Sequence, residues 1–479
     1  MIRRDATGRT PLWVTQLDGR WEPFADLEAA IAAVPDPRLD LAGAPYWIHG
    51  HSAMETHTII QGVRRIPSGH QLVDPDGPFA VEPWWQPDPS IQRTPQDAAT
   101  RLRSAFDRAM AEALEGAQRP AAMMTGGFDS TTVAAAAIQQ TGGPIRTYSW
   151  LPRDIPLVEG EENEVTMGAV ADELGAQWTP VHFDHGGDFQ DQESLMVSGP
   201  RNPFRRVLER AKADGCDVIL SGVGGDEFAS FGSLAILNRW MRTGRWLRVH
   251  RHMTAEARRR GHPWSLARTG YILARHFAPG NAGAPRLDGP WLRPAVAQSP
   301  AWKAHLKDAQ MPLHGRLPIA AARWWMWRHE VQVSRMEQEH ALAAKVGIRI
   351  AYPLRHPDVI EAALQAPADM FLQGGTKRGL FRRAMADLTP RSVAQATVKL
   401  KPPCPHRTMR EGRETMAAAL KERPLGPWAS QLFDGEAMRR IAEADLGREQ
   451  VGVRSALTQK AYMAARRLDL AVPGPASRL

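Results

Sequence analysis

"AAMMTGGFDSTTVAAAA", residues 121–137, decides how the rest of the chain is read. A short apolar run ends in Thr125, two glycines, an acid and three hydroxyl residues, then becomes an alanine-rich helix. That order is strand, turn, helix. In parallel sheets such turns lie at the carboxyl ends of strands, where ligands bind. Gly126 and Gly127 let the backbone approach a ligand, and successive amides at a helix start favour an anion. Thr125, Ser130 and Thr131 add hydroxyl donors. The turn is neither the GxxxxGK(S/T) phosphate loop nor the GxGxxG dinucleotide loop. Asp129 would repel phosphate unless a cation lay between them, so the turn predicts Mg²⁺ bound together with a triphosphate.

A second stretch has the same grammar. "LSGVGGDEFAS", residues 220–230, gives a strand, a glycine turn and an acid, Asp226. Either turn alone could be a glycine-rich β/α loop with a helix-capping Asp. Two carboxylates on neighbouring turns of one sheet edge predict a shared magnesium site.

Between and around these turns the chain alternates. "IRTYSW" (145–150), "WTPVHFD" (178–184) and "CDVILSG" (216–222) read as short strands, and "NEVTMGAVADELGA" (163–176) as a helix. Short apolar strands separated by helices predict an α/β fold, a parallel sheet with helices on both faces. Upstream, "TPQDAATRLRSAFDRAMAEAL" (94–114) opens on a Thr/Pro cap signal and keeps helical spacing. Residues 11–85 read as short strands and turns: "PLWVTQL" (11–17), "PYWIHG" (45–50), "HTIIQGVRRI" (57–66), "HQLVDP" (70–75) and "FAVEPWW" (79–85). The change of pattern places a boundary near 90–96, dividing a β-rich domain (1–95) from a larger one (96–479). After about residue 230 nearly everything reads as helix, broken at 278–290 and 401–406.

Bulk composition excludes several classes. A chain of 479 residues, 43% hydrophobic and 23% charged, is that of a globular protein of two or three domains. Two cysteines, Cys216 and Cys404, make neither a disulfide framework nor a zinc cluster. The start "MIRRDATGRTPLWV" has no apolar core of signal-peptide length, and no run reaches a membrane span, so the cytoplasm is the expected location. Net charge is +8 and the pI about 9.7. Much of the excess lies in residues 239–264, read as a solvated helical face, with a nucleic-acid surface or attraction for phosphate or an acidic peptide as the alternatives. Sixteen tryptophans chiefly fill helix interfaces.

"TGGFDST" resembles the pyrophosphatase loop of the asparagine synthetase family, and "SGVGGDE" its second signature. The resemblance extends through "RTYSW", "EENEVTMGAVADELGA", "SRM" (334–336), "GIRIAYPLRHPDVIEAAL" (347–364), "GGTKRGLFRRAM" (374–385) and "VKLKPP" (398–403). Upstream, "THTIIQGVRRIPSGHQLV" and "EPWW" resemble the end of its amidotransferase domain, and residues 235–320 stand out as an atypical insert. The family binds ATP, adenylates a carboxylate and lets an amine displace AMP. The resemblance implies a degenerate amidotransferase-like domain followed by an adenine-nucleotide α-hydrolase-like sheet. It makes Thr125, Gly126, Gly127, Asp129 and Ser130 pyrophosphate and metal contacts, with Thr131 beside them. Met124 and Trp150 become adenosine-side contacts, and Ser221, Gly222, Gly224 and Gly225 nucleotide contacts. Asp226 becomes the second metal ligand. Glu339 and His340, after "SRM", are candidate acid–base groups near the acyl centre. Lys377 is a phosphate or carboxylate contact, and Lys399 or Lys401, which spacing does not separate, balances charge on the leaving pyrophosphate.

Departures from the family narrow the reading. Glutamine-dependent members carry a cysteine after the initiator methionine, where this sequence has Ile2, so ammonia from glutamine is not the expected amine. β-Lactam synthetases place a tyrosine base inside the second signature, where this chain has Val223. Arg355 stands where the family has an acid. The lasso peptide cyclase branch resembles this chain best. It implies macrolactam closure on a precursor peptide, with ATP and Mg²⁺ as cofactors and a leader-peptide protease or recognition protein as a further partner. Neither nucleic acid nor membrane is expected as a partner. The alternatives are a β-lactam-synthetase-like small-molecule ligase and an ammonia-dependent asparagine synthetase.

Overall fold

The structure, a computed structural model, describes residues 1–49, 54–88, 93–153, 162–183, 202–231, 235–259, 261, 263–277, 289–309, 332–396, 405–444, 458–459, 461–469 and 472. Its centre is a five-stranded sheet. The strands are β6 (Pro120–Met123), β7 (Arg146–Pro152), β8 (Gln177–Phe183), β9 (Val218–Leu220) and β10 (Arg349–Ala351), all parallel, in the order β10-β9-β6-β7-β8. β6 and β9 lie side by side, Ala122 opposite Leu220, so the two glycine turns leave the same edge of adjacent strands. The expected α/β class is the observed one.

Alternation along the strands covers both faces, as the period of two requires. Ala122 and Met124 of one strand, with Val218 and Leu220 of its neighbour, meet α3 (Pro95–Leu114) and α4 (Phe128–Thr141) through Leu102, Phe106, Met110 and Val133. Ala121, Met123, Tyr148 and Ile219 meet α6 (Asn202–Ala213) and the helix Gln332–Val346 on the opposite face. Caps set the helix ends. Thr94 accepts from the Asp97 amide with Pro95 in the first turn, and Asn163 caps α5 (Glu164–Leu174), which ends at left-handed Gly175.

The amino-terminal strands β1 (Trp13–Leu17), β2 (Arg20–Phe24) and β3 (Val63–Arg65) form an antiparallel sheet of order β2-β1-β3. β4 (His70–Leu72) and β5 (Val81–Pro83) form a separate hairpin. The core of this region is shared. Trp13, Ile31 and Trp47 pack with Trp291, Trp302, Trp428, Tyr462 and Leu468. A second junction is ionic: Arg4 and Arg65 each reach one oxygen of Glu337 at 2.6 Å, and all three side chains are fully buried.

One expectation is corrected and two strands are added. Residues 45–49 of "PYWIHG" lie in a helix, α2 (Ala44–His49), because Pro45 suits a first turn and Trp47 and Ile48 are buried together against the helix Pro300–Ala309. "RWEPF" (20–24), not read as a strand, pairs with β1 through a turn at Asp18 and Gly19, both of positive φ. The region after 230 is not wholly helical, since Arg349–Ala351 adds the edge strand beside β9. Most of the basic stretch is helical, in Ala235–Arg242 and Trp246–Arg259, with Arg242, Arg251 and Arg258 exposed and Arg245 and Arg248 paired with Asp369. Among the described residues no helix is long and apolar enough to cross a membrane.

Candidate active site

The first turn is held by its own hydroxyls. The Thr125 amide donates to Ser130 Oγ at 3.1 Å, the two hydroxyl oxygens are 3.0 Å apart, and Ser130 Oγ donates to the Gly127 carbonyl at 3.3 Å. Gly126 takes φ +65°, and α4 begins at Phe128 with no side-chain cap on its first amides. A fourteen-residue helix thus points uncapped amides at the turn, which suits an anion.

The second turn interlocks with the first. Ser221 donates its amide to the Ala351 carbonyl at 2.9 Å, and Gly224, at φ +101°, leads into a single π-helical turn, Gly225–Ala229. A Cβ at Gly222 would sit 2.6 Å from the Ser130 nitrogen. A Cβ at Gly225 would sit 2.6 Å from Asp129 Cγ and 2.7 Å from its Oδ1. Glycine at these two positions is what lets the acid of one turn nest in the backbone of the other.

Together the turns floor a half-open cleft. Thr125, Gly127, Asp129, Ser130, Trp150, Ser221, Gly222, Gly224 and Asp226 line it, with Met123, Phe128, Phe204, Val223, Glu227, Gln332, Arg335 and Arg378. Trp150 stands edge-on to Phe204, with ring centres 6.0 Å apart, an apolar wall beside the polar floor. Gly126 completes the first turn, and Gly225 touches Asp129 from the second.

Other expected residues lie elsewhere. Met124 is fully buried in the core against α3 and α4; Met123, one residue earlier and so on the other face, lines the cleft. Thr131 is buried on α4 and does not line the cleft. Glu339 is buried one shell behind: it accepts from Arg335 Nε at 2.7 Å and from the Tyr352 hydroxyl at 2.9 Å. Burial pulls the Arg335 pKa down, but the charge and hydrogen bond of Glu339 outweigh it and hold the guanidinium above its usual value. Glu339 therefore orients a cation at the cleft and is not itself on its wall. His340 packs on Tyr352 with ring centres 5.7 Å apart, and burial lowers its pKa. Lys377 ends the second strand of a hairpin, Leu372–Gln373 with Thr376–Lys377, outside the cleft lining. Lys399 and Lys401 lie outside the described residues.

The residue after Lys377 is the one that enters. Arg378 sits at φ +65°, ψ +26°, a left-handed conformation that costs a non-glycine residue of order 1–3 kcal/mol. Its Nη2 pairs with Asp226 and lies 3.7 Å from Asp129 Oδ2. Behind it, Arg382 stacks over Phe128 at 4.7 Å and donates to the Ala394 and Ala396 carbonyls at the end of the helix Arg391–Gln395. Sequence reasoning did not single out Arg335 and Arg378. Both belong to quoted segments: Arg335 is the one basic residue of "SRM", and Arg378 neighbours Lys377 in "GGTKRGLF".

The acids suit magnesium. Asp129 and Asp226 converge on one positive group, and the Gly225 cradle fixes the inner carboxylate. Mg²⁺ commonly binds through one or two carboxylates plus phosphate oxygens and water, so two protein oxygens suffice. Among the described residues no group of three or more His, Cys, Asp or Glu forms a cage that would bind a metal without nucleotide.

No curated protein matches the chain. Among solved structures, the U34-tRNA thiolase NcsA from Methanococcus maripaludis with its 4Fe-4S cluster matches at 14% identity. That match covers 50% of this chain and 80% of that one, with a TM-score of 0.21, too low to align the two molecules in detail. The family described as asparagine synthase matches residues 101–466, a span containing both glycine turns, Arg335 and Arg378. By that match over most of its length, the chain belongs to the asparagine synthase family, ATP-using ligases that form carbon–nitrogen bonds.

Proposed function

We propose that the protein is an ATP-dependent macrolactam synthetase of the lasso peptide cyclase type. It adenylates an Asp or Glu side chain of a precursor peptide and closes the ring with that peptide's own N-terminal amine. In the proposed reaction the carboxylate attacks the α-phosphorus and pyrophosphate leaves; the amine then attacks the acyl carbon, expelling AMP and giving up a proton. The observation that carries this reading is the interlock of two acid-bearing glycine turns beside uncapped helix amides.

The residues divide the work. Thr125, Ser130 and the first amides of α4 orient pyrophosphate, and the Trp150–Phe204 wall receives the adenosine. Asp129 and Asp226 would hold Mg²⁺, which when bound neutralises phosphate charge. Arg335, oriented by Glu339, places a fixed positive charge at the wall for the acyl carboxylate or the phosphates, a preorganised electrostatic contribution. Two features favour a peptide that brings its own amine. Val223 lines the cleft with no group able to accept a proton. Arg355 is fully buried and donates to the Thr7 carbonyl at 2.7 Å, so it ties the amino-terminal segment to the second turn and does not select a free amino acid. A folded-back peptide presents its amine at high effective concentration, which lessens the need for a dedicated amine site.

The test is product analysis with a candidate precursor peptide. AMP and pyrophosphate should form only with peptide and Mg²⁺, and the product should weigh one water less than the linear peptide. N-terminal acetylation should block closure, and converting the acceptor Asp or Glu to its amide should stop pyrophosphate release. Peptide-dependent ADP and phosphate, or asparagine made from aspartate and ammonium at a comparable rate, would overturn the assignment.

A further inference from the structure

We propose that Arg378 is the resident counter-ion of the metal site. Without nucleotide its guanidinium holds Asp129 and Asp226 together, and the arriving divalent cation displaces it from between them. The inference deepens the functional reading and rests on Asp129 and Asp226 being the metal ligands. Its physical basis is charge. Two carboxylates facing one cleft repel each other, and a cation between them offsets that repulsion. Arg378 supplies one through a single guanidinium nitrogen, Nη2, which pairs with Asp226 and lies 3.7 Å from Asp129. The same space cannot hold both a guanidinium and a divalent ion. Binding is therefore an exchange of one cation for another.

The backbone shows how the exchange is confined to a side chain. Arg378 follows the hairpin in which Leu372 pairs with Lys377 and Gln373 with Thr376. The next amide, Gly379, donates to the Phe371 carbonyl at 3.0 Å, and the Arg378 carbonyl accepts from the Arg382 amide at 2.9 Å. With Cα held on both sides, the guanidinium swings about its own χ bonds while the hairpin stays in place. Once released it remains in the cleft, with phosphate oxygens as its new partners. Site assembly and nucleotide arrival are thereby coupled.

Mn²⁺, followed by electron paramagnetic resonance on the full-length protein without nucleotide, reads this directly. Wild type should bind Mn²⁺ weakly. Arg378→Gln should bind it on the order of tenfold more tightly, because a competing positive charge has gone. Arg378→Lys, which keeps the charge, should stay within about threefold of wild type on the same argument. Adding Asp226→Asn to the Gln variant should remove the gain. Equal Mn²⁺ affinity in wild type and Arg378→Gln overturns the exchange, as does an equal gain in the Lys variant. Asp129→Asn and Asp226→Asn, titrated with Mn²⁺ and α,β-methylene-ATP, separate the two levels. If they abolish Mn²⁺ binding while Arg378→Gln shows no gain, the metal site stands and the exchange falls. If they leave it unchanged, the metal-ligand assignment itself falls and takes the exchange with it.

Discussion

Adding one methyl group at Gly225 tests whether the two turns position each other. A Cβ there would lie 2.6 Å from Asp129 Cγ and 2.7 Å from Oδ1, against an ordinary contact of 3.4 Å or more. The carboxylate must retreat by nearly 1 Å or leave its rotamer well, which costs about 1 kcal/mol. Overpacking of this kind generally costs a fold about 1–3 kcal/mol. The chemical effect should be larger, since a misplacement of about 1 Å in a positioned group can lower the rate on the order of a hundredfold. Gly225→Ala should therefore melt a few degrees lower yet lose most substrate-dependent pyrophosphate release at saturating ATP. Gly270→Ala is the control. Gly270 is exposed inside the helix Leu266–Phe277 with nothing within 4 Å of an added Cβ, so alanine should stabilise by roughly 0.5–1 kcal/mol and leave turnover alone. If Gly225→Ala retains half the wild-type rate with an unchanged KM for ATP, Asp129 is not positioned by the second turn and the argument fails.

Three further outcomes are expected. Glu337→Gln should lower stability in urea by about 3–5 kcal/mol, because two fully buried guanidiniums lose their counter-charge; a loss below about 1 kcal/mol would show the triad is not an essential junction. Tyr352→Phe removes one buried hydrogen bond to Glu339 and should cost about 1–3 kcal/mol of stability while lowering kcat, at a temperature where the variant is fully folded, through a looser Arg335; unchanged kinetics would remove Glu339 and Tyr352 as positioning residues. For Asp5, burial raises the carboxyl pKa, but the Arg4 charge and hydrogen bonds from Thr10 and Arg9 more than offset this and hold it below 3.8. A depressed acid contributes its stability above the unfolded value and loses it as pH falls through the folded one. Asp5→Asn should therefore destabilise at pH 7 and flatten the decline of stability below about pH 3.8; parallel wild-type and variant curves across that window would refute it.

What the sequence disclosed follows from how locally each feature is encoded. The two turns were legible because strand, glycine pair, acid and helix start are contiguous, and both fall at the carboxyl edge of adjacent strands. Errors of one residue came from parity and turn geometry. Met124 and Met123 are equally apolar, and only the pairing of β6 with its neighbours decides which one faces the cleft. Lys377 and Arg378 are both basic, and the left-handed step that turns the second inward is not written in either residue type. Glu339 was visible as an acid near the site. That Arg335 and Tyr352 hold it behind the wall depends on the helix Gln332–Val346 packing against strand β10. "PYWIHG" misled because Trp, Tyr and Ile favour strands, while burial against distant helices decided the outcome.

The tryptophan-rich core that joins Trp13 and Trp47 to Trp428 and Tyr462 has a consequence for synthesis. The strand carrying Trp13 does not complete its core until residues about four hundred positions later in the chain, Trp428 and Tyr462 among them, have been made. Contacts of such high sequence separation form slowly, because the loop they close must be ordered before they contribute. During translation the nascent amino-terminal region therefore exposes Trp13 of its sheet and Ile31 and Trp47 of its helices as a hydrophobic surface, the kind of species that aggregates or recruits chaperones. Circular permutation that brings the segment 416–472 next to residue 1 would shorten that interval, and the yield of soluble protein would report how much the interval matters.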